Sequence, residues 1–531
     1  MKRGIMKLTA VGLTLTTVAG LTACTDTKTT SGNAGDVTKP DHFTVMVNNT
    51  IVTETNGAQA YYDYLQQLTG LDIKWIRPDH SGYYDAVANA FNANDTMPDV
   101  VLLSSDYYSL YAANGFLWNM ADAWDKSETK ASGRLVDGYQ SIIDNLMVTG
   151  EDGTKGMYGY SPYRGDGCCT YMKKSWLKDC GIDESKVDGV TMDFNTYYGY
   201  LKTMAEKKGH YVISAPGFIG TEAPYTNYLP EFYQDAHYTF YKNASGAYVD
   251  GFSEDAMKNA LSRIHTAIAD GVIDKETVNN STANARDKFY STDDSAETGV
   301  FTYWCGTWAN TLRTNLEAKG KNSDLIAINP VKELGSYIQR IPACWCITTA
   351  ASNPEGIFKY FIDTMLDGGD VQMAWTYGAK GTHWDDKAET VTVQGKEDKP
   401  SVYTEGQFHF LPSVEKPTTL QTKNHIDPLV SLATFNKTSD NPDGTDPGFK
   451  NAIASDSVAN SKFFYEHSVS EAALPMTTDL SDNNTDINTA RNYVISQVAL
   501  GYMTVDEGME YYKTTVGSLV DLVVKSLNKS K

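Results

Sequence analysis

The chain has 531 residues, with 66 Asp and Glu against 45 Lys and Arg and a formal net charge of −21. At roughly 100–200 residues per domain, that length implies two or more domains. A composition 41% hydrophobic and 21% charged can bury a sizeable core, which excludes global disorder. The acid excess argues against a nucleic-acid partner, because phosphates would go unneutralised. The 34 Tyr and 9 Trp stand out; such side chains cover flat ligands as readily as they fill cores.

Lys2, Arg3 and Lys7 precede an apolar, Thr-rich run from Leu8 to Gly20 that is shorter than a membrane-spanning helix. Leu21-Thr22-Ala23-Cys24 follows and resembles a bacterial lipobox, which implies a signal peptide over 1–23 and a lipidated Cys24 at the new amino terminus. Cleavage removes three positive charges and takes −21 to −24. Residues 24–40 are Thr, Ser, Gly, Asn and Asp with little apolar content, the composition of a flexible tether. The expected location is the extracellular face of a cell membrane, lipid-anchored, in a bacterium expected to be Gram-positive.

Six cysteines remain: Cys168, Cys169, Cys180, Cys305, Cys344 and Cys346. Cys168 and Cys169 are too close in the chain for a relaxed bridge to each other, and no C-x-x-C is present. Buried or unpaired thiols are the expectation. No His is followed by Glu, so the H-E-x-x-H zinc motif is missing. There is also no G-x-G-x-x-G after the first strand, no G-K-[ST] and no G-x-S-x-G. No cofactor, metal or catalytic residue is expected, and the chain is read as a binding protein, not an enzyme.

Phe43 to Val47 alternates as a strand; Tyr61, Tyr62, Leu65 and Leu68 recur at helical spacing and stop at Gly70. Leu71, Ile73 and Trp75 alternate again, Tyr84, Val87, Ala88 and Phe91 share a helical face, and Val100 to Leu103 is a continuous apolar strand. This β-α-β-α-β order predicts a parallel sheet whose ligands sit beyond the carboxyl ends of its strands. Near one such end lie Asp106 and Tyr107. Thr504 and Glu507 form a capping box ahead of Met509, Tyr512, Val516, Leu519 and Val523 at helical spacing. Between about 385 and 480 periodicity is weak; Asp440 to Asp446 reads as a solvated turn, since its spacing does not fit an EF-hand loop.

A set of short motifs then resembles the extracellular solute-binding proteins of family 1, the carbohydrate-binding lipoproteins of ABC importers. They are Asn94 to Val100, Asn114 to Met120, Tyr158 to Pro162 with Tyr171 to Leu177 and Gly181-Ile182, Gly299 to Trp308, Asn353 to Glu355 with Tyr360 to Asp363, and Tyr377 to Trp384. The last resembles the longer LipO-like subgroup, with Lys380 where that subgroup has an acid. The motifs fall in order over roughly 41–510, except in 385–480.

The resemblance implies an α/β, two-lobed periplasmic-binding-protein-like (Venus-flytrap) fold, each lobe a mostly parallel sheet flanked by helices. One lobe is expected over 41–160 plus 346–380 and the other over 161–345 plus 381–531. Crossings are expected near Tyr158–Arg164, Pro342–Thr348 and Gly378–Trp384, the last including His383. It also implies a sugar or oligosaccharide ligand, ABC permease partners and a monomeric chain. Sugars present a C–H face and a hydroxyl rim, so aromatic platforms with carboxylate or Arg partners suit them. The candidate ligand-binding residues are Trp308, Trp304, Tyr303, Asp106, Tyr107, Tyr163, Arg164, Asp166, Trp345 and Trp384. Trp308 ranks first, at the end of the β-rich run from Val300 to Tyr303. The alternatives are a non-sugar solute such as a peptide, or a surface glycan-degrading enzyme.

Overall fold

The computed structural model describes residues 37–49, 57–79, 82–93, 95–133, 139–219, 227–392, 400–411, 455–470, 474–475 and 477–529. Cys24, most of the tether and the Asp440–Asp446 turn lie outside them, and Ser105 and Asp106 are described in their backbone only. The chain opens with β1 (His42–Met46), α1 (Ala58–Thr69), β2 (Asp72–Ile76), α2 (Tyr83–Ala90) and β3 (Val100–Leu103), the alternation its periodicity predicts. α1 buries Tyr61, Tyr62 and Leu65 and ends on Gly70 at φ 61°, whose N–H returns to the Gln66 carbonyl. β1 lies between β2 and β3 and runs parallel to both, with His42 opposite Asp72 and Val45 opposite Val100. The Asp99 carboxylate accepts from the Thr44 N–H at 2.8 Å and the Thr44 hydroxyl at 2.7 Å, pinning β1 to the start of β3.

After α3 (Ser105–Ala113) the chain leaves this sheet and builds a second one. Its elements are β4 (Cys168–Lys173), α4 (Asp255–Ala269), α5 (Thr282–Phe289), β5 (Val300–Trp304), α6 (Thr307–Ala318) and β6 (Leu325–Ala327). The strand order is β6-β4-β5 and every pairing is antiparallel, Cys168 facing Trp304 and Lys173 facing Leu325. Ile213 adds parallel bridges to Val300 and Ile273, so the sheet is mixed and not mostly parallel as expected. Pairing direction has no local signal here: β3 and β4 are each buried at every position, and a fully buried run reads alike in either orientation.

β7 (Tyr337–Gln339) leads back to β8 (Cys344–Ile347), which joins the first sheet antiparallel to β3 with Trp345 opposite Leu102. α7 (Asp370–Tyr377), α8 (Ser455–Glu466), β9 (Ser468–Ser470), α9 (Thr478–Ala499) and α10 (Val505–Lys529) follow. The capping box forms as read: Thr504 N–H donates to the Glu507 carboxylate at 2.9 Å, and Glu507 N–H to the Thr504 hydroxyl at 3.2 Å. Gly508 lets α10 press on α9, since a Cβ there would lie 2.8 Å from Val494 and Val498 methyls. A buried Arg491–Asp250 pair at 2.6 Å ties α9 to the second sheet's surroundings.

Two large hydrophobic cores and a small cluster of Met373, Tyr377, Trp384 and Phe408 result. One runs from Phe43 to Tyr160 and again from Ile341 to Trp375; the other from Cys168 to Tyr337 and again from Phe464 to Leu527. Each lobe is therefore discontinuous in sequence. All six cysteines of the described residues are buried, and none forms a disulfide with another. Among the described residues no helix is long and apolar enough to cross a membrane.

Candidate ligand-binding site

The chain passes between the two cores three times, and the first two of these segments pair as a ribbon. Tyr160 and Trp345 exchange backbone hydrogen bonds of 3.0 and 2.7 Å, and Arg340 N–H donates to the Asp166 carbonyl at 2.7 Å. The Gln339 amide donates to the Arg164 carbonyl at 2.5 Å. Glycines permit this approach: a Cβ on Gly165, held at φ 84°, would meet the Arg340 carbonyl oxygen at 2.1 Å. At Gly159 it would press on Cys344 and Cys346 at 2.8 Å, which explains Gly in the Tyr-Gly-Tyr-Ser-Pro motif. The segments near 158–164 and 342–348 thus lie side by side where the chain passes between the cores.

Three of the predicted site residues are enclosed. Trp345 has no exposure and packs in the first core against Trp375 and Phe361, ring centres 5.3 and 5.8 Å away. Trp384 is buried among Met373, Tyr377 and Phe408 and donates its indole N–H to the Gly378 carbonyl at 2.9 Å. Tyr303 is buried in the second core. This packing leaves Trp345 and Trp384 little or no exposed ring for the ligand contacts expected of them. His383 is likewise fully buried, its Nδ1 accepting from the Ala379 N–H at 2.9 Å; it shapes the turn after α7.

The remaining candidates cluster in two places. On the second lobe, Trp304 is half-buried at the end of β5, with the Arg340 guanidinium 4.7 Å from its ring centre. Arg340 in turn pairs with Asp166 at 2.8 Å. Trp304 and Tyr303 alternate across the strand, which is why one is half-exposed and the other enclosed. Arg164 is buried, its guanidinium 3.5 Å above the Tyr465 ring, and the Tyr465 hydroxyl donates to the Gly165 carbonyl at 3.0 Å. Tyr163 is half-buried on the ribbon.

Trp308 lies in the first turn of α6, half-buried, edge-on to Tyr303 at 5.1 Å. Gly306 makes that position possible. At φ 67° it turns β5 into α6, and its N–H donates to the Asn460 side-chain oxygen at 2.6 Å. On the first lobe, Tyr107 is half-buried beyond β3 and stacks on Tyr84 at 3.9 Å with the planes 6° apart. The Tyr84 hydroxyl accepts from the Ser104 N–H at 2.9 Å. Asp106 begins α3 beside them, and its side chain lies outside the described set.

Arg340, Tyr465 and Arg286 complete these clusters and were not among the predicted residues. Arg340 sits two residues before Pro342 at the end of a short strand, with little signal of its own in the sequence. Tyr465 comes from α8, some 300 residues from Gly165, and carries none.

The strongly perturbed acid lies elsewhere. Burial raises Glu231 to about 7, and it accepts from the Tyr337 hydroxyl at 3.3 Å, but it is 1% exposed inside the second core and out of a ligand's reach. Lys173, lowered to about 8 by burial, is equally enclosed against Glu297 at 2.5 Å. Among the described residues no group of three His, Cys, Asp or Glu is placed to hold a metal ion.

No protein-family model and no curated protein sequence matches the chain. Solved structures do. An HMO-binding, ABC-transporter-associated solute-binding protein from Bifidobacterium longum infantis is 14% identical, covers 92% of this chain and 98% of its own, and superposes with a TM-score of 0.57. The alginate-binding protein AlgQ2 is 16% identical over 94% of this chain and 99% of its own, TM-score 0.56. The sugar-binding protein MalE from Xanthomonas citri is 13% identical over 91% and 98%, TM-score 0.56. The fold is therefore that of the two-lobed periplasmic binding proteins, and many of its structural neighbours are extracellular solute-binding proteins of family 1 or sugar-binding proteins.

Proposed function

We propose that the chain is the substrate-binding protein of an ABC importer, capturing a sugar or oligosaccharide between its lobes and delivering it to membrane permease subunits. The observation that carries this reading is Trp308. It stands half-exposed just beyond the carboxyl end of a β-strand, where the resemblance puts a ligand platform, in a two-lobed fold whose cores are joined by a ribbon. An indole there offers a flat apolar face to the C–H side of a sugar ring. Trp304 with Arg340 and Asp166, and Tyr107, offer a further ring and hydroxyl-pairing groups. The perturbed acid Glu231 is sealed in the core, which favours binding over acid–base catalysis.

The lobes are assigned to 41–160 plus 346–380 and 161–345 plus 381–531 as expected, except that the first lobe resumes at Ile341 so that β8 stays whole, and they close on ligand by hinge motion at the ribbon. The Cys24 anchor and the tether belong to the same reading: Cys24→Ser is expected to release the protein into the medium, and full retention on the membrane refutes the anchor. The deciding experiment is calorimetry with a sugar and oligosaccharide panel beside a short-peptide panel. Saturable binding confined to sugars, without turnover, is expected. At a hundredfold excess over Kd such a ligand adds about 2.7 kcal/mol of stability, a clear melting shift. Binding of peptides alone, or hydrolysis of a glycan, refutes it.

A further inference from the structure

Resting on the sugar-binding reading, we infer that the ligand is an acidic sugar or oligosaccharide, carrying a carboxylate or sulfate, and that Arg286 is the residue that meets the acid. Arg286 projects from α5, half-buried, its guanidinium carbon 5.6 Å from the Trp308 ring centre and 5.8 Å from that of Tyr303. Among the described residues it makes no ion pair with a carboxylate. Arg313 pairs with Glu317 and Asp456, Arg340 with Asp166, and Arg491 with Asp250. Even Asp287, next in the chain, is exposed and makes no pair with it. Among the described residues, this guanidinium beside the platform has no carboxylate paired to it.

A half-buried charge lacking a counter-charge is unfavourable, and a bound anion removes that cost. Guanidinium geometry suits a bidentate carboxylate or sulfate, and charge-assisted hydrogen bonds of this kind are about twice as strong as neutral ones. The neighbours point the same way. The Tyr290 hydroxyl is buried, and burial pushes that phenol up to about 12, with Arg286 and a hydrogen bond with Asn315 opposing. Burial raises the Tyr303 phenol too, again against Arg286. Arg286 and the Trp308 indole offer donors to a ligand with, among the described residues, no carboxylate paired to the guanidinium, the complement of an acceptor-rich ligand. A site for neutral hydroxyls, which both donate and accept, is better served by carboxylates and amides.

The test uses the purified full chain and a panel of uronic-acid oligosaccharides, each beside its methyl ester, plus a sulfated oligosaccharide beside its desulfated form. At least one acid should bind about ten- to hundredfold tighter than its neutral partner, with the advantage shrinking as salt rises. Arg286→Gln should collapse the acid-to-ester ratio towards one, and Arg286→Lys should keep part of it; melting curves of both variants report whether the fold is retained. Equal binding of acid and ester, or an unchanged ratio in a folded Arg286→Gln, overturns the inference. So does binding confined to neutral sugars, which leaves the sugar reading standing. If no sugar binds and peptides do, the sugar reading itself falls, and this inference with it.

Discussion

Trp345 and Trp308 are the same side chain in different settings. One sits within a strand and the other just after one, and both are flat enough to stack on a sugar. Trp345 is inside β8, its ring among Trp375, Phe361 and the first core, with no exposure. Trp308 is past the end of β5, lifted into the first turn of α6 by Gly306. A strand buried on both faces hides every ring it carries; the turn after a strand leaves one face open. The difference teaches that position relative to the strand end, more than residue type or closeness to a hinge, separates packing from recognition.

The largest expected effect is on the enclosed side. Trp345→Ala should destabilise the chain by about 3–5 kcal/mol, as large core truncations do, read by urea denaturation, while the folded fraction keeps its ligand affinity. A lost affinity with an unchanged melt would reverse the two roles.

Charge sharpens the same contrast between inside and outside. Glu231, buried at 1%, has its folded pKa raised by burial from 4.5 to about 7. It therefore holds its proton in the folded state where the unfolded chain has released it. Stability from this group is full below about pH 4.5 and is lost as pH rises through 7. Glu231→Gln should flatten that slope and gain roughly 1–3 kcal/mol at pH 8 relative to pH 4; denaturation at the two pH values checks it. A wild-type profile that rises over this range, with Gln changing nothing, would mean Glu231 is open to water.

On the open side, Trp308→Ala should weaken sugar binding by about ten- to hundredfold, taking roughly 1–3 kcal/mol for a lost stacking platform by analogy with bases on aromatics. Its melting point should fall less than that of Trp345→Ala. Calorimetry and melting on one protein decide it, and a large melting drop with affinity preserved places Trp308 in the core. The smallest effect is expected at Tyr502, an aromatic 73% exposed between α9 and α10. Tyr502→Ala should stay within about 0.5 kcal/mol with affinity unchanged, and any loss of binding there would break the rule that strand ends carry the site.

Much of the first lobe was legible in the sequence. Alternation gave β1 and β2, helical spacing gave α1 and α2, and the Gly70 and Thr504–Glu507 caps sit where their residue types predict. Those features depend on backbone periodicity and local hydrogen bonds, which neighbours in sequence settle. The Gly159 and Gly306 positions were legible as motifs, and the structure supplies their reasons: close approach of β8 and a positive φ.

What only the tertiary structure decided is pairing and enclosure. The antiparallel order of β4, β5 and β6 depends on partners more than a hundred residues apart. The Arg340–Asp166–Trp304 and Arg164–Tyr465 contacts join segments with no shared period. Whether a tryptophan is platform or core is set by what packs on its second face, and for Trp345 and Trp384 that covering comes from Trp375 and Phe361, and from Phe408. A sequence fixes each residue's chemistry and local phase; solvent access belongs to the assembled fold, because burial is a sum over neighbours that the chain brings together only when it closes.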